Sequence, residues 1–247
     1  MFSTSLFLSY LKTEKIAKQI EYIKSTSSTN QTIYDMFKRN KINELGALIT
    51  EEQTNGKGRR GNKWYSSSGK SLTFSFLIES KEDVLLSKLP LITGISIIEG
   101  INQSTSLDCQ LKWPNDILYD SKKVGGILIE KKGGHFIIGI GLNVNDSNFD
   151  SLIQSSACSL SSIVNQPIER ESLLAFIFNH FEKLLNKNMV TIIKKWESLC
   201  GHMNNCIKFH HANNIIEAKF VGIHKNGAAK LNINGNEELF YSGIVEL

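Results

Sequence analysis

Residues 112–127 read KWPNDILYDSKKVGGI, and the reading of this stretch decides the fold. Strand-like runs at residues 110–113, 117–119 and 124–131 surround Asp120–Ser121, a short turn signal, so the pattern predicts strands joined by tight turns. Pro114 pushes the residue before it into extended backbone, which turns Asn115 out of the sheet as an amide donor and acceptor beside Asp116. Lys123 follows seven residues after Asp116, and Gly125–Gly126 let a ligand lie against the strand. An ordinary hairpin with a surface lysine is the plainer reading of the same residues.

Working outward, residues 71–80 alternate Leu72, Phe74, Phe76 and Ile78, which predicts a half-buried strand. Residues 135–144 read as a strand buried on both faces, and residues 19–23 and 46–50 as shorter strands. Ser28 or Thr29 is placed to cap a helix running to about Arg39, with Ile33, Met36 and Phe37 on one face. Pro90 marks the start of a helix to about Gln103. Leu173, Leu174, Ile177, Phe178, Phe181, Leu184 and Leu185 follow the helical period over residues 170–186. A further helix covers residues 191–199. The character then changes: short strands at 206–211, 215–224, 228–233 and 237–241 are separated by turn signals at Asn213–Asn214, Asn226–Gly227 and Asn234–Gly235. So many antiparallel strands in so short a tail predict a small barrel. The expected organisation is an α/β (α+β) domain over residues 1–200 and a small barrel over 201–247.

The second informative stretch is GKGRRGNKW, residues 56–64. GKGRRG is a GxGxxG string, but a dinucleotide fingerprint requires a helix to open there, and the following NKWYSSSGK is polar and turn-rich. The GK[ST] ending of a Walker A loop is also absent. What remains is a flexible loop carrying Lys57, Arg59, Arg60 and Lys63. Such a run is commonly a solvated charged loop; it also suits charge-assisted hydrogen bonds to anionic groups.

Composition narrows the classes further. A net charge of +4 across 247 residues is mildly basic and does not by itself indicate a nucleic-acid protein. No apolar run reaches the roughly 18 residues that span a bilayer, and the N-terminus lacks the charged segment of a signal peptide, so a cytoplasmic location is expected. Cys109, Cys158, Cys200 and Cys206 form no disulfide framework, and the cluster Cys200, His202, Cys206, His210 and His211 lacks structural zinc spacing.

SSTN (27–30), EEQTNGKGRRGNKW (51–64), KWPNDILYDSKKVGGILIE (112–130) and GIGLNV (139–144) occur in the order and at the spacing of biotin protein ligases, and the chain resembles that family from about residue 20 to 144. The resemblance implies a mixed-sheet domain related to lipoate ligases and class II aminoacyl-tRNA synthetases, followed by an SH3-like barrel. It implies activation of biotin with ATP and Mg²⁺ to biotinyl-5′-AMP, then transfer to a lysine of the biotin carboxyl carrier protein of acetyl-CoA carboxylase. By motif position, Lys123, Arg59 and Asp116 carry the chemistry, with Asp116 also a magnesium ligand. Ser28, Thr29, Asn30, Gln53, Gly56, Arg59, Arg60, Lys123 and Gly126 hold biotin. Lys57, Arg59, Trp64, Lys112, Asn115 and Asn143 hold ATP or the adenylate. The loop at residues 56–63 closes over that reactive anhydride, with Trp64 at its base. Two positions depart from the family pattern: Lys57 stands where arginine is usual, and Asn62 where a basic residue is frequent. Only 26 residues precede SSTN, so no operator-binding domain is expected, and the assembly is expected to be a monomer or homodimer. Two alternatives remain: a lipoate or octanoate ligase or transferase on the same fold, and a nucleic-acid-binding module using the basic loop.

Overall fold

The computed structural model describes residues 1–80, 83–151, 153–212 and 214–247, with residues 83–85 described in backbone only. In chain order, α1 (Thr4–Tyr10), β1 (Ile20–Thr26), α2 (Thr29–Lys38), β2 (Ala47–Gln53) and β3 (Leu72–Glu79) lead into the long α3 (Asp83–Thr105). Then come β4 (Gln110–Lys112), β5 (Asp116–Tyr119), β6 (Lys122–Lys132) and β7 (His135–Leu142), followed by α4 (Leu160–Val164), α5 (Arg170–Leu185) and α6 (Met189–Ser198). The tail contributes β8 (Cys206–His211), β9 (Asn214–Ile223), β10 (Ala229–Ile233), β11 (Asn236–Phe240) and β12 (Ile244–Glu246).

Seven strands form a mixed sheet in the order β1-β2-β3-β7-β6-β5-β4, with β1 and β2 parallel and every other neighbouring pair antiparallel. The alternation in β3 predicts one buried face, yet both are covered. Phe74 and Phe76 meet Phe178 of α5 edge-on, with ring centroids 5.5 and 5.2 Å apart. On the other side Leu77 packs with Ile33 of α2, Leu48 and Ile137. A single strand's pattern registers one covering layer; here a second helix covers the opposite face. Thr73 and Ser75 therefore lie buried on the α2 side, as polar residues in an interior strand.

Pro90 lies well inside α3 rather than near its start. It removes one helical hydrogen bond, and the burial of Leu89, Leu91, Ile92 and Ile95 around it holds the helix across that gap. The apolar N-terminal residues fold back: Phe2 and Phe7 are buried, Phe7 packs on Phe178 at 6.1 Å, and the Phe2 amide donates to Glu51 Oε1 at 2.8 Å. Glu51 is itself paired with Arg170 at 2.7 Å in the interior. Among the described residues no helix is long and apolar enough to cross a membrane.

The tail forms a five-stranded antiparallel sheet in the order β11-β10-β9-β8-β12. The turn expected at Asn213–Asn214 falls partly outside the described residues. The segment between α6 and this small sheet is bonded to the large sheet through Leu111 N–H to Leu199 O (2.8 Å) and Gly201 N–H to Leu111 O (3.0 Å). The small sheet itself is tied by packing, with Trp113 against Phe209 at 5.9 Å. β12, which the sequence pattern does not announce, pairs with β8 through Val245 and Phe209.

Candidate active site

A cavity of about 170 Å³ opens where α2 begins, between the β4–β5–β6 hairpins, the basic loop and β12. Its charged sheet wall is set by strand register. Lys112 pairs with Asp116 across β4–β5, and Asp116 with Gly126 across β5–β6, so the three share one face. Lys123 is three residues from Gly126 and in a regular strand would point to the opposite face. The register shifts between Ile117 and Leu118, which pair with Gly125 and Lys123 respectively, so Val124 is an extra residue. This β-bulge buries Val124 and returns Lys123 to the face of Asp116. Lys123 Nζ then stands 2.5 Å from Asp116 Oδ1, over the bare backbone of Gly126.

The neighbouring strand supplies the floor. A Cβ on Gly139 would lie 2.2 Å from Asn30 Oδ1, and one on Gly141 2.2 Å from Cε2 of Trp64. Both positions must stay bare for the α2 N-terminus and the indole to lie on β7. At the closed end, Gln53 Oε1 accepts from the Thr29 amide (2.7 Å) and hydroxyl (3.1 Å). The Ser75 hydroxyl lies 2.7 Å from Thr29 Oγ1 and 2.6 Å from Asn30 Oδ1. Asn30 Nδ2 donates to Glu130 Oε2 at 2.8 Å, so its amide is engaged at both ends within the protein. Ser28 occupies the N-cap of α2, but its side chain makes no cap hydrogen bond, contrary to the capping role expected of it.

The basic loop is a small hairpin. Lys57 and Lys63 bridge, Gly58 N–H donates to Asn62 O at 2.7 Å, and Trp64 N–H to Gly56 O at 3.0 Å. Arg60 takes left-handed backbone at its tip (φ 55°). Arg59 reaches across the cavity, donating from NH1 to Asn115 Oδ1 at 3.2 Å, while Asn115 Nδ2 donates to Ile127 O at 2.9 Å. Asn115 thus joins loop and sheet through the two ends of one amide. It follows the cis Trp113–Pro114 peptide. Burial pulls the Arg59 guanidinium below its ordinary value, as does neighbouring Arg60, while Asp116 opposes them. Burial likewise lowers the Lys112 ammonium, with Asp116 acting against that shift.

Thirteen residues expected at the site line this cavity: Ser28, Thr29, Asn30, Gln53, Lys57, Arg59, Arg60, Trp64, Lys112, Asn115, Asp116, Lys123 and Gly126. Gly56 and Asn143 do not. Gly56 sits at the loop's base, where a Cβ would be 2.4 Å from Trp64 O. Asn143 is buried behind Lys123, donating to the carbonyls of Lys123 (3.3 Å) and Cys158 (3.2 Å), and so ties β6 to the segment leading into α4. The sequence reading also missed Thr73, Gly139, Gly141 and the Gly243–Val245 edge of the tail. The paired glycines of GIGL were the one available signal, since alternate glycines in a strand mark close approach on one face.

A cationic cleft split between a glycine loop and a bulged sheet defines a site for joining an acid to a phosphate-bearing group. Residues 22–145 match the biotin/lipoate A/B protein ligase family, and the chain belongs to that family. It is 31% identical to the bifunctional ligase/repressor BirA of Bacillus subtilis, over 96% of this chain and 76% of the relative. With the BirA of Escherichia coli it shares 27% identity over 89% of this chain and 71% of the other. The structure of biotin protein ligase from Aquifex aeolicus in complex with biotin and ATP superposes with a TM-score of 0.83, at 30% identity, covering 93% of this chain and 98% of that one.

Proposed function

We propose that this chain activates biotin with ATP and transfers it to a lysine of a carrier protein, the biotin carboxyl carrier protein of acetyl-CoA carboxylase, in the cytoplasm. The observation that carries the reading is the bulge that sets Lys123 beside Asp116, facing Arg59 across the cavity. In the first step a biotin carboxylate oxygen attacks the α-phosphorus of ATP and pyrophosphate leaves. Two anions must meet, and about 4 kcal/mol of repulsion per charge pair at 4 Å in a partly screened site has to be offset. Lys123, Arg59 and Lys112 supply that positive potential, which is most effective where charge develops on the phosphoryl oxygens. In the second step the carrier lysine, as a free amine, attacks the acyl carbon. AMP leaves and the amine loses its proton.

In this proposal Ser28, Thr29 and Gln53 bind the ring system, Asn30 and Gly56 shape that pocket, and Gly126 makes room for the acyl chain. Lys57, Arg60 and Trp64 close the loop over the adenylate, Asn115 holds it, and Asn143 acts through Lys123. Asp116 is the one carboxylate on the cavity wall among the described residues. Asp116 would hold magnesium here, and the bound ion would supply neutralisation of phosphate charge. The catalytic unit runs to residue 200 and the barrel over 201–247, in a monomer or homodimer. The cavity is smaller than the roughly 300 Å³ at which ligand pockets begin, so the basic loop opens to admit both substrates. Incubation with biotin, MgATP and an apo carrier domain, read by intact mass spectrometry, should show one biotinyl adduct on the carrier. Lipoate transfer in place of biotin transfer would overturn the assignment.

A further inference from the structure

We propose that Thr73 is a specificity-determining residue, its hydroxyl hydrogen-bonding the heteroatom-bearing ring of the acid substrate; this rests on the ligase reading above. Thr73 lies on β3 in register with Gly141 of β7 on one side and Thr50 of β2 on the other. It is only 2% exposed, yet it borders the cavity. Its neighbours on this floor are engaged: Thr50 Oγ1 donates to Glu52 O at 3.0 Å, and the Ser75 hydroxyl meets Thr29 and Asn30. Thr73 Oγ1 has no partner among the described residues.

A buried hydroxyl without a partner is costly, and a hydrophobic residue of the same shape would serve β3 better. A second orphan lies beside it. Trp64 Nε1 is buried without a partner among the described residues, and its ring rests on Gly141, directly across from Thr73. The indole N–H only donates, whereas the hydroxyl donates and accepts. Two unsatisfied polar atoms at neighbouring positions of an otherwise engaged floor match a substrate with ring heteroatoms. A plain fatty acyl chain offers them nothing. The cyclic urea and thioether of biotin supply both donors and acceptors. Thr73 thereby favours biotin over an aliphatic acid such as octanoate, because a site that hydrogen-bonds its substrate rejects analogues lacking the group.

The test uses the full chain with Thr73→Val, which keeps the shape, and Thr73→Ser, which keeps the hydroxyl. Calorimetry with biotin should show about tenfold weaker binding for Thr73→Val, and near-normal binding for Thr73→Ser. KM for biotin in pyrophosphate exchange should rise with kcat held, the pattern of lost ground-state binding. The melting temperature of Thr73→Val should equal or exceed that of the wild type, since no bond within the protein is lost. Unchanged biotin affinity in Thr73→Val, a lowered melting temperature, or failure of Thr73→Ser to restore binding would each overturn the assignment. Wild-type protein that binds no biotin would overturn the ligase reading and this one together; normal wild-type binding with an unaffected Thr73→Val overturns this one alone.

Discussion

The two halves of the site are built by opposite means. Lys112, Asp116 and Lys123 stand on paired strands whose ladders and bulge leave each side chain one face to occupy. Lys57, Arg60 and Lys63 are exposed on a hairpin loop whose cross-cavity hydrogen bond runs from Arg59 to Asn115. The wall is fixed by its ladders, so in the proposed reaction its charges would act without rearrangement when phosphoryl charge develops. In the proposed reaction the loop, joined to the sheet through Arg59 and Asn115, opens for entry and closes against water. Asn115 belongs to both, since one end of its amide holds the sheet and the other holds the loop.

The contrast is broken most severely at the wall. Lys123→Ala should reduce biotin-dependent ATP–pyrophosphate exchange by about 10²–10³, because it removes a cation in fixed geometry. Near-normal exchange would transfer the main electrostatic role to Arg59 or Lys112.

Acid should also destabilise the fold through a group packed behind the wall. His202 is fully buried behind Lys112, against Phe220 and with the Cys200 sulfur 3.4 Å away. Burial, aided by the Lys112 charge, pushes its imidazole down to about 4. The unfolded chain takes up that proton near pH 6.5, and the folded chain does not. Its contribution is therefore complete above pH 6.5, is lost as pH falls from 6.5 towards 4, and changes no further below that. The loss amounts to about 3 kcal/mol. Chemical denaturation at several pH values should show His202→Gln with a flatter profile than the wild type over that window.

A smaller effect is expected when the loop alone is freed. Arg59→Gly should release biotinyl-adenylate about tenfold faster, as expected from loss of one charged hydrogen bond. Bystander lysines in a mixed protein sample would then be labelled, read by streptavidin blot. Unchanged labelling would mean that Arg59 does not retain the adenylate. Asn115→Ala should produce a milder, several-fold version of that release together with a raised KM for ATP, measured in the same exchange assay. An effect confined to one of the two would show that the amide serves a single half.

Much of this site was legible because its residues sit in contiguous motifs. Chain connectivity alone keeps Arg59 near Arg60, or Asn115 near Asp116. The helical period of α5 was equally plain, since Phe178 and Phe181 bury one stripe. What escaped depended on neighbours distant in sequence. β3 read as half-buried because its pattern carries no trace of α2 covering the second face. Thr73 escaped notice for the same reason. Asn143 lies in a motif shared with the site, yet its amide nitrogen faces backbone carbonyls of β6 and the pre-α4 segment.

By itself the sequence determined which elements form and which charges gather near one another, because periodicity, turn residues and short spacings act within a few residues. Only the tertiary structure decided where those groups point. One extra residue, Val124, set Lys123 on the cavity face. Two bare glycines let Asn30 and Trp64 settle onto β7. The last strand of the tail closed an edge more than a hundred residues away from the motifs it borders. Facing and closure arise from register between strands and from packing of separate layers, and no local window of sequence contains either.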